Sequence, residues 1–266
     1  MRAWIVLFSG LVAVTPPAGA ASVRSISGEN ASARRRLSVN SLLTDRGTLE
    51  IEWGNTFAAS GNYSMPSLVK FTPAGEGWLE GKTEYSVGFD SVSSQVSGSE
   101  RDTQFGDRIS LFAHTKIIDG DHFDIAIAPQ ASFLLRGDTG ARLGGAVFGR
   151  FDGKDSINSG GWNVSWTGAT ASSPTNPAGT LDVGFGYGRK LGPSGSRLNQ
   201  WTIHAESQIE KSTGVTRIFS LFQGVEYQVT KRFAVDTSIQ EIDLGGANRD
   251  TQFVVALTVN MGKLKK

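Results

Sequence analysis

Hydrophobic residues along this chain alternate with polar or small ones at period two, segment after segment. Leu181, Val183, Phe185 and Tyr187 interleave with Asp182, Gly184, Gly186 and Gly188. Trp201, Ile203, Ala205 and Ile209 interleave with Thr202, His204, Glu206, Gln208 and Glu210, and Phe253, Val255, Leu257, Val259 and Met261 stand opposite Gln252, Ala256, Thr258 and Asn260. This period belongs to strands whose two faces meet different surroundings. Helical spacing does not appear between Gly47 and Gly262.

Turn chemistry divides that stretch into about twelve segments, near 47–59, 66–73, 78–92, 105–117, 122–136, 140–152, 159–168, 179–191, 197–211, 214–229, 231–242 and 250–262. The separators, such as Asp119-Gly120-Asp121, Gly137-Asp138-Thr139-Gly140 and Gly192-Pro193-Ser194-Gly195, are hairpin turns. Successive strands are therefore expected to be antiparallel neighbours. Most exceed the mean soluble strand of about five to six residues and reach the roughly nine to eleven needed by a tilted strand to cross a bilayer. The longest connections are expected at Ser94 to Gln104 and Gly168 to Gly179.

Alternation leaves open whether the apolar face points into a soluble barrel or out toward lipid. The aromatics favour lipid: Trp53, Tyr85, Trp162, Trp166, Trp201 and Tyr227 fall mostly on apolar faces near strand ends, as an interfacial girdle requires. The first residues point the same way. Met1-Arg2, an apolar run from Ala3 to Val14, and Ala18-Gly19-Ala20 have the order of a secretory signal peptide cut after Ala20. The expected fold is all-β, an antiparallel up-and-down transmembrane β-barrel of about twelve strands. Residues 1–20 are expected as signal peptide, 21–46 as a polar arm containing Arg34, Arg35 and Arg36, 47–262 as barrel and 263–266 as a basic tail. The expected location is the bacterial outer membrane, reached by export.

Composition narrows the function. The 26 Lys and Arg nearly balance 25 Asp and Glu, which argues against a nucleic-acid partner. Only 19% of residues are charged against a usual figure of about 25%, whereas 33 glycines are an excess. Glycines on polar faces, including Gly144, Gly184 and Gly224, make room inside a small barrel or permit the bends of closure. With no cysteine, thiolate chemistry is excluded.

The polar faces carry both signs of charge. Arg108, Arg136, Arg142 and Arg150, with Glu206 and Glu226, are the candidates for a lumen constriction. The arginines form an expected anion-guiding cluster. Opposed acids and bases either pair and close a narrow lumen or set a transverse field that orients polar solutes. His122 and Asp124 share a face and His114 flanks the same turn, the one arrangement suggesting a metal, but polar lumen walls contain such residues routinely and no metal or other cofactor is expected. No nucleophile elbow supports a hydrolase, and no catalytic residue is assigned.

Thr103-Gln104-Phe105-Gly106-Asp107-Arg108, Thr180 to Gly188, Gly224 to Thr230 and Asp250 to Leu257 together resemble the outer-membrane transporters grouped as the MetA-pathway of phenol degradation family. The resemblance runs over nearly the whole mature chain. It rests on barrel-pattern signatures: a Gly-Asp opening a strand, Gly184 to Gly188, and the hairpin from Glu226 to Arg232. It implies a barrel of about a dozen strands that takes up small, often aromatic or hydrophobic, compounds. The chain departs from the usual aromatic ending of such barrels, which the assembly machinery reads, in Val259-Asn260-Met261-Gly262-Lys263-Leu264-Lys265-Lys266. The expected function is passive, non-enzymatic passage of small solutes, with outer-membrane lipid and the barrel assembly machinery as partners. A closed structural barrel and a secreted soluble barrel holding a hydrophobic ligand are the alternatives.

Overall fold

The computed structural model describes residues 43–74, 81–97, 100–104, 108–135, 140–153, 157–172, 177–246 and 249–263. The expected signal peptide, the arm as far as residue 42, Arg136 and residues 264–266 lie outside them.

Among the described residues, thirteen strands form one antiparallel sheet: β1 (Thr48–Ala58), β2 (Tyr63–Phe71), β3 (Thr83–Ser97), β4 (Glu100–Gln104), β5 (Arg108–Asp119), β6 (Phe123–Leu134), β7 (Ala141–Asp152), β8 (Asn158–Ala169), β9 (Gly179–Lys190), β10 (Trp201–Ser212), β11 (Ile218–Thr230), β12 (Phe233–Ile242) and β13 (Asp250–Lys263). From β5 to β13 consecutive strands pair, and β5 pairs on its other side with β3. β1 pairs with both β2 and β13, and β2 with β3, which closes the ring. β4 pairs only with the far end of β3, so it is an overhang and the closed wall has twelve strands. Closure leaves no edge strand within the twelve-stranded wall, the condition for sheet to exist in hydrocarbon. Both chain ends of the barrel lie at one rim, the terminal rim. The strand ends at Ala58, Leu134, Ala169, Ser212 and Ile242 lie at the other, the loop rim.

Three boundaries differ from the sequence pattern for local reasons. The expected loop from Ser94 to Gln104 is largely the hairpin of β3 and β4, in which Ser94 pairs with Thr103 and Ser97 with Glu100. Residues 197–200 form a 3₁₀ turn before β10. Ser196 starts that turn by accepting the amide hydrogen of Asn199 on its side chain, at 3.2 Å. β2 begins before Pro66, because a bulge between Met65 and Pro66 absorbs the missing amide donor.

The outward face is apolar and exposed. Val87, Leu111, Ile127, Val147, Val164, Leu181, Phe185, Ile209 and Phe253 all stand on it, Phe185 being 57% exposed. A twelve-residue strand at about 3.3 Å per residue, tilted about 40°, spans roughly 30 Å, the thickness of the hydrocarbon layer. A ring of exposed Leu, Ile, Val and Phe around that whole height far exceeds the apolar patches of soluble monomers. This is the transmembrane kind of barrel. Tilting the strand also leaves outward glycines that aromatics cover. A Cβ on Gly149 would collide with the Trp162 ring, and one on Gly160 with the Phe151 ring, each from the paired position on the neighbouring strand.

Candidate functional site

The inward face lines the lumen, and the register places its side chains on four walls. On β1–β3, Glu50, Glu52, Lys70 and Glu84 come together near the terminal rim. Glu50 lies opposite Lys70 in the β1–β2 ladder. The Lys70 ammonium donates to Glu50 Oε1 at 3.1 Å and to a Glu52 carboxylate oxygen. Lys70 is 2% exposed and Glu84 is wholly buried. Charges removed from water to this extent persist only with charged or hydrogen-bonding partners. Glu84 has two neighbours of that kind: the Thr44 amide donates to its Oε2 at 2.7 Å, and His114 Nδ1 stands 3.7 Å from Oε1.

The β5–β7 wall combines aromatic rings with bases. Phe112 stacks on His114 at a centroid distance of 6.0 Å, and His114 meets Phe148 at 5.2 Å. Ala126, Ala128 and Ala146 form the buried floor beneath this ledge with Phe148. Small residues on β6 let large rings from β5 and β7 lean across it without overfilling the lumen. The bases are Arg108, Lys116, Arg142 and Arg150. Arg142, near the loop rim, donates to Thr167 Oγ1, to Thr180 Oγ1 at 2.7 Å and to the Pro177 carbonyl oxygen at 2.8 Å. Arg150 donates to Asp152 at 2.8 Å near the terminal rim, and Lys116 contacts Asp119 and Asp124.

On β10–β12 the side chains are acidic. His204 Nε2 lies 2.6 Å from Asp236 Oδ2, both buried, and Glu226 pairs in register with Asp236. Glu206, Glu210 and, on β9, Asp182 continue the series toward the loop rim. Gln208 bonds Asp182. Gly224 admits the His204 ring: a Cβ there would stand 2.7 Å from the ring and 2.6 Å from the Thr237 carbonyl oxygen. The fourth wall, β8–β9, carries no side chain at Gly161, Gly184, Gly186 and Gly188, and Gly161 pairs with Gly186. In the ring order this wall lies six strands from β1–β2.

Of the expected constriction residues, Arg108 and Arg142 share the loop-rim half, where Arg142 feels the repulsion of Arg108 and the attraction of Glu210. Arg150 does not join them: it is eight residues farther along β7, roughly 27 Å at 3.3 to 3.4 Å per residue. Glu206 and Glu226 are inward on adjacent strands. The expected aromatics all face outward. Trp201 and Tyr227 stack at 4.5 Å near the terminal rim, Tyr85 lies toward the same rim, and Trp166 toward the loop rim. Trp53 and Trp162 sit in mid-strand, within the apolar belt and not on its margins. His122 is exposed on its turn whereas Asp124 points inward to Lys116, so the pair does not converge. The ring ledge and the seat of Thr44 on Glu84 were not foreseen. Phe112 and Phe148 on otherwise polar faces were the available signal for the first, and nothing local signalled the second.

No family model matches the chain, and no curated protein matches its sequence. The resemblance to the MetA-pathway of phenol degradation family thus has no family-model support. Among solved structures the chain is similar to the KdgM porin, with TM-score 0.57 and 10% identity over 80% of this chain and 99% of that one. That porin has also been solved in complex with disordered oligogalacturonate. The NanC porin is similar at TM-score 0.56 and 10% identity, over 79% and 98%. At that identity the likeness is one of fold, and it supports an outer-membrane type of twelve-stranded barrel.

Proposed function

We propose that this protein is a passive outer-membrane channel for small solutes, with its terminal rim in the periplasm. The observation that carries the reading is the division of the lumen: bases predominate on β5–β7 and acids on β9–β12, and between them β8–β9 has glycine at four inward positions, Gly161, Gly184, Gly186 and Gly188. Fixed charges of opposite sign on facing walls produce a transverse field that orients dipolar solutes while leaving them free to move along the axis. Acids also predominate on β1–β3, so the lumen attracts cations overall. Arg108 and Arg142 act at the loop-rim mouth as a local anion contact within that acidic passage. The half-buried Phe112 ring, backed by the buried His114 and Phe148, offers a ring face beside the field, which suits small solutes that combine an aromatic or apolar part with a polar end. No step of this passage calls for catalysis or a cofactor.

Planar-bilayer conductance of the chain refolded from residue 21 tests the reading, with a heat-modifiable gel shift as the control for folding. Discrete steps with cation preference are expected. Replacing Phe112 by Ala should weaken block by an added aromatic solute while steps persist. A folded barrel that never conducts, with or without its N-terminal arm, would refute the channel.

A further inference from the structure

We infer that the outer face of β10 and β11 is the contact through which two copies of this chain pair side by side in the membrane, with the Gln223 amide of each against its equivalent. Gln223 is the sixth of the thirteen residues of β11 and is exposed, on the outward face between Leu221 and Val225. In the ladder it lies opposite Ala205 on β10 and Ile239 on β12. Tyr227, near the terminal rim, is four residues away, about 13 Å along the strand and about 10 Å in height at a tilt of about 40°. The other end of the strand, Ile218, is five residues away. A side chain with two methylenes brings its amide to neither margin of the belt. The Gln223 amide therefore stands in hydrocarbon, which offers it neither donor nor acceptor.

Two other outward amides are satisfied within the wall. Asn55 on β1 accepts the Tyr63 hydroxyl at 2.7 Å, and Asn158 on β8 accepts the Tyr187 hydroxyl at 2.6 Å. Among the described residues, no hydrogen bond reaches the Gln223 side chain, and its ladder neighbours Ala205 and Ile239 have no polar side-chain atom to offer. A second copy does. Both copies insert with the same orientation, so a residue at mid-height meets its own equivalent at the same depth across a two-fold axis along the membrane normal. A primary amide has both donor hydrogens and an acceptor oxygen, so two facing Gln223 side chains donate to each other reciprocally. Such polar contacts hold neighbouring spans together where lipid competes for the apolar ones. The approach is open as well. Ala205 and Ser207 are short side chains on β10 beside Gln223, framed by the larger, exposed Ile203, Phe185 and Phe219. Two convex walls meet along a narrow strip, and short side chains at its centre let them close on the amides while the larger ones exclude lipid. No charge stands on the outward face of β10 from Trp201 to Ile209 or of β11 from Phe219 to Tyr227, so nothing repels a second copy there. Each copy keeps its own lumen, because the contact is made by outward side chains.

Association is read on the full chain reconstituted in phospholipid vesicles, by energy transfer between donor- and acceptor-labelled copies over a series of protein-to-lipid ratios. Gln223→Leu removes the amide and leaves a surface that suits lipid, so the heat-modifiable shift is retained while the dissociation constant should rise about tenfold or more. Gln223→Asn keeps an amide and should restore much of the association. The chain has no cysteine of its own. Ala205→Cys, which leaves Gln223 in place, should thus be joined to its equivalent by a short bis-maleimide several-fold faster than Ile127→Cys, an exposed outward position five strands away. A parent that stays monomeric over the whole series, Gln223→Leu associating as the parent does, or equal joining at the two cysteine positions would overturn the inference. A trimer would do so too, since a three-fold ring sets unlike surfaces together and gives Gln223 no equivalent to face. None of these readouts requires the lumen to conduct, so the failure of the pairing and the failure of the channel are told apart.

Discussion

Val147 is the seventh of the twelve residues of β7 and is 39% exposed, facing outward. Its neighbours in the ladder are Ile127 on β6 and Val164 on β8, both apolar and both exposed. An arginine at that position would stand at mid-height in hydrocarbon with no outward-facing carboxylate on either adjoining strand. The cost for a lipid-facing Arg near the midplane is about 2 to 4 kcal/mol, which at about 1.4 kcal/mol per decade lowers the folding equilibrium roughly thirty- to several-hundred-fold. Ser165 provides the contrast. It is half-buried on the inward face of β8, opposite Asp182 on β9. An arginine there finds a carboxylate in a polar lumen and should cost less than about 1 kcal/mol. Ala256, also inward, is unsuitable as a control, since at 4% exposure an added side chain overfills its site. The assay is urea unfolding and refolding in phospholipid vesicles, followed by tryptophan fluorescence. Val147→Arg no more harmful than Ser165→Arg would refute the lipid-facing assignment and the membrane reading built on it.

Lys70→Met should destabilise by about 3 to 5 kcal/mol, because Glu50 and Glu52 are left without the buried ammonium between them; an unchanged urea midpoint would contradict the buried cluster. Gly224→Ala should cost about 1 to 3 kcal/mol by forcing the His204 ring off its place against Asp236, with a shifted histidine resonance as the local readout. Arg142→Met removes donors from Thr180 and the Pro177 carbonyl at about 1.5 to 3 kcal/mol. Hydrogen exchange of the Ala169 amide, bonded to Ala178 at 3.0 Å, should quicken in that variant while amides at the terminal rim keep their protection.

The barrel was legible because its wall obeys one rule for over two hundred residues. Period two fixes which side chains share a face, and hairpin turns fix which strands adjoin, so the inward position of Arg142, Glu206 and Glu226 followed from parity alone. What parity does not carry is height. Arg142 and Arg150 differ by an even number of residues and face the same way, yet they stand near opposite rims. A cluster inferred from shared facing therefore came apart, leaving Arg108 and Arg142 together and Arg150 with Asp152. The same gap explains the aromatics. Trp53 and Trp162 are outward as expected, but only the ladder shows them in mid-strand. The ledge escaped notice because it joins Phe112, His114 and Phe148 across β6, a relation that depends on register. The path of Leu43 and Thr44 onto Glu84 depends on a reversal at Gly47 with no periodic signature.

The composition also acquires a cause. Few residues are charged, and most of those on the strands point inward, since the lipid face tolerates none at mid-height. Glycine replaces side chains where the lumen would otherwise fill. On three walls the space is taken by the glutamate and lysine cluster, by the ring ledge, and by His204 with its acids; on β8–β9 four inward positions are glycine, and the Arg142 guanidinium reaches over Thr167 and Thr180 toward the loop rim. The route expected for a passing solute runs by Gly186, which is half-buried where Gly161, Gly184 and Gly188 are buried. Gly186→Leu sets a branched side chain on that route, beside Gly161 and next to Glu206 on β10. Its inward direction spares the lipid contacts, and the fully paired backbone on both sides keeps the ladder. Conductance should fall sharply while the heat-modifiable shift is retained, and Thr237→Leu, facing lipid from β12, should change neither. If Gly186→Leu folds and conducts as the parent does, the passage does not follow the glycine wall, and the charge-divided lumen loses its role as a path.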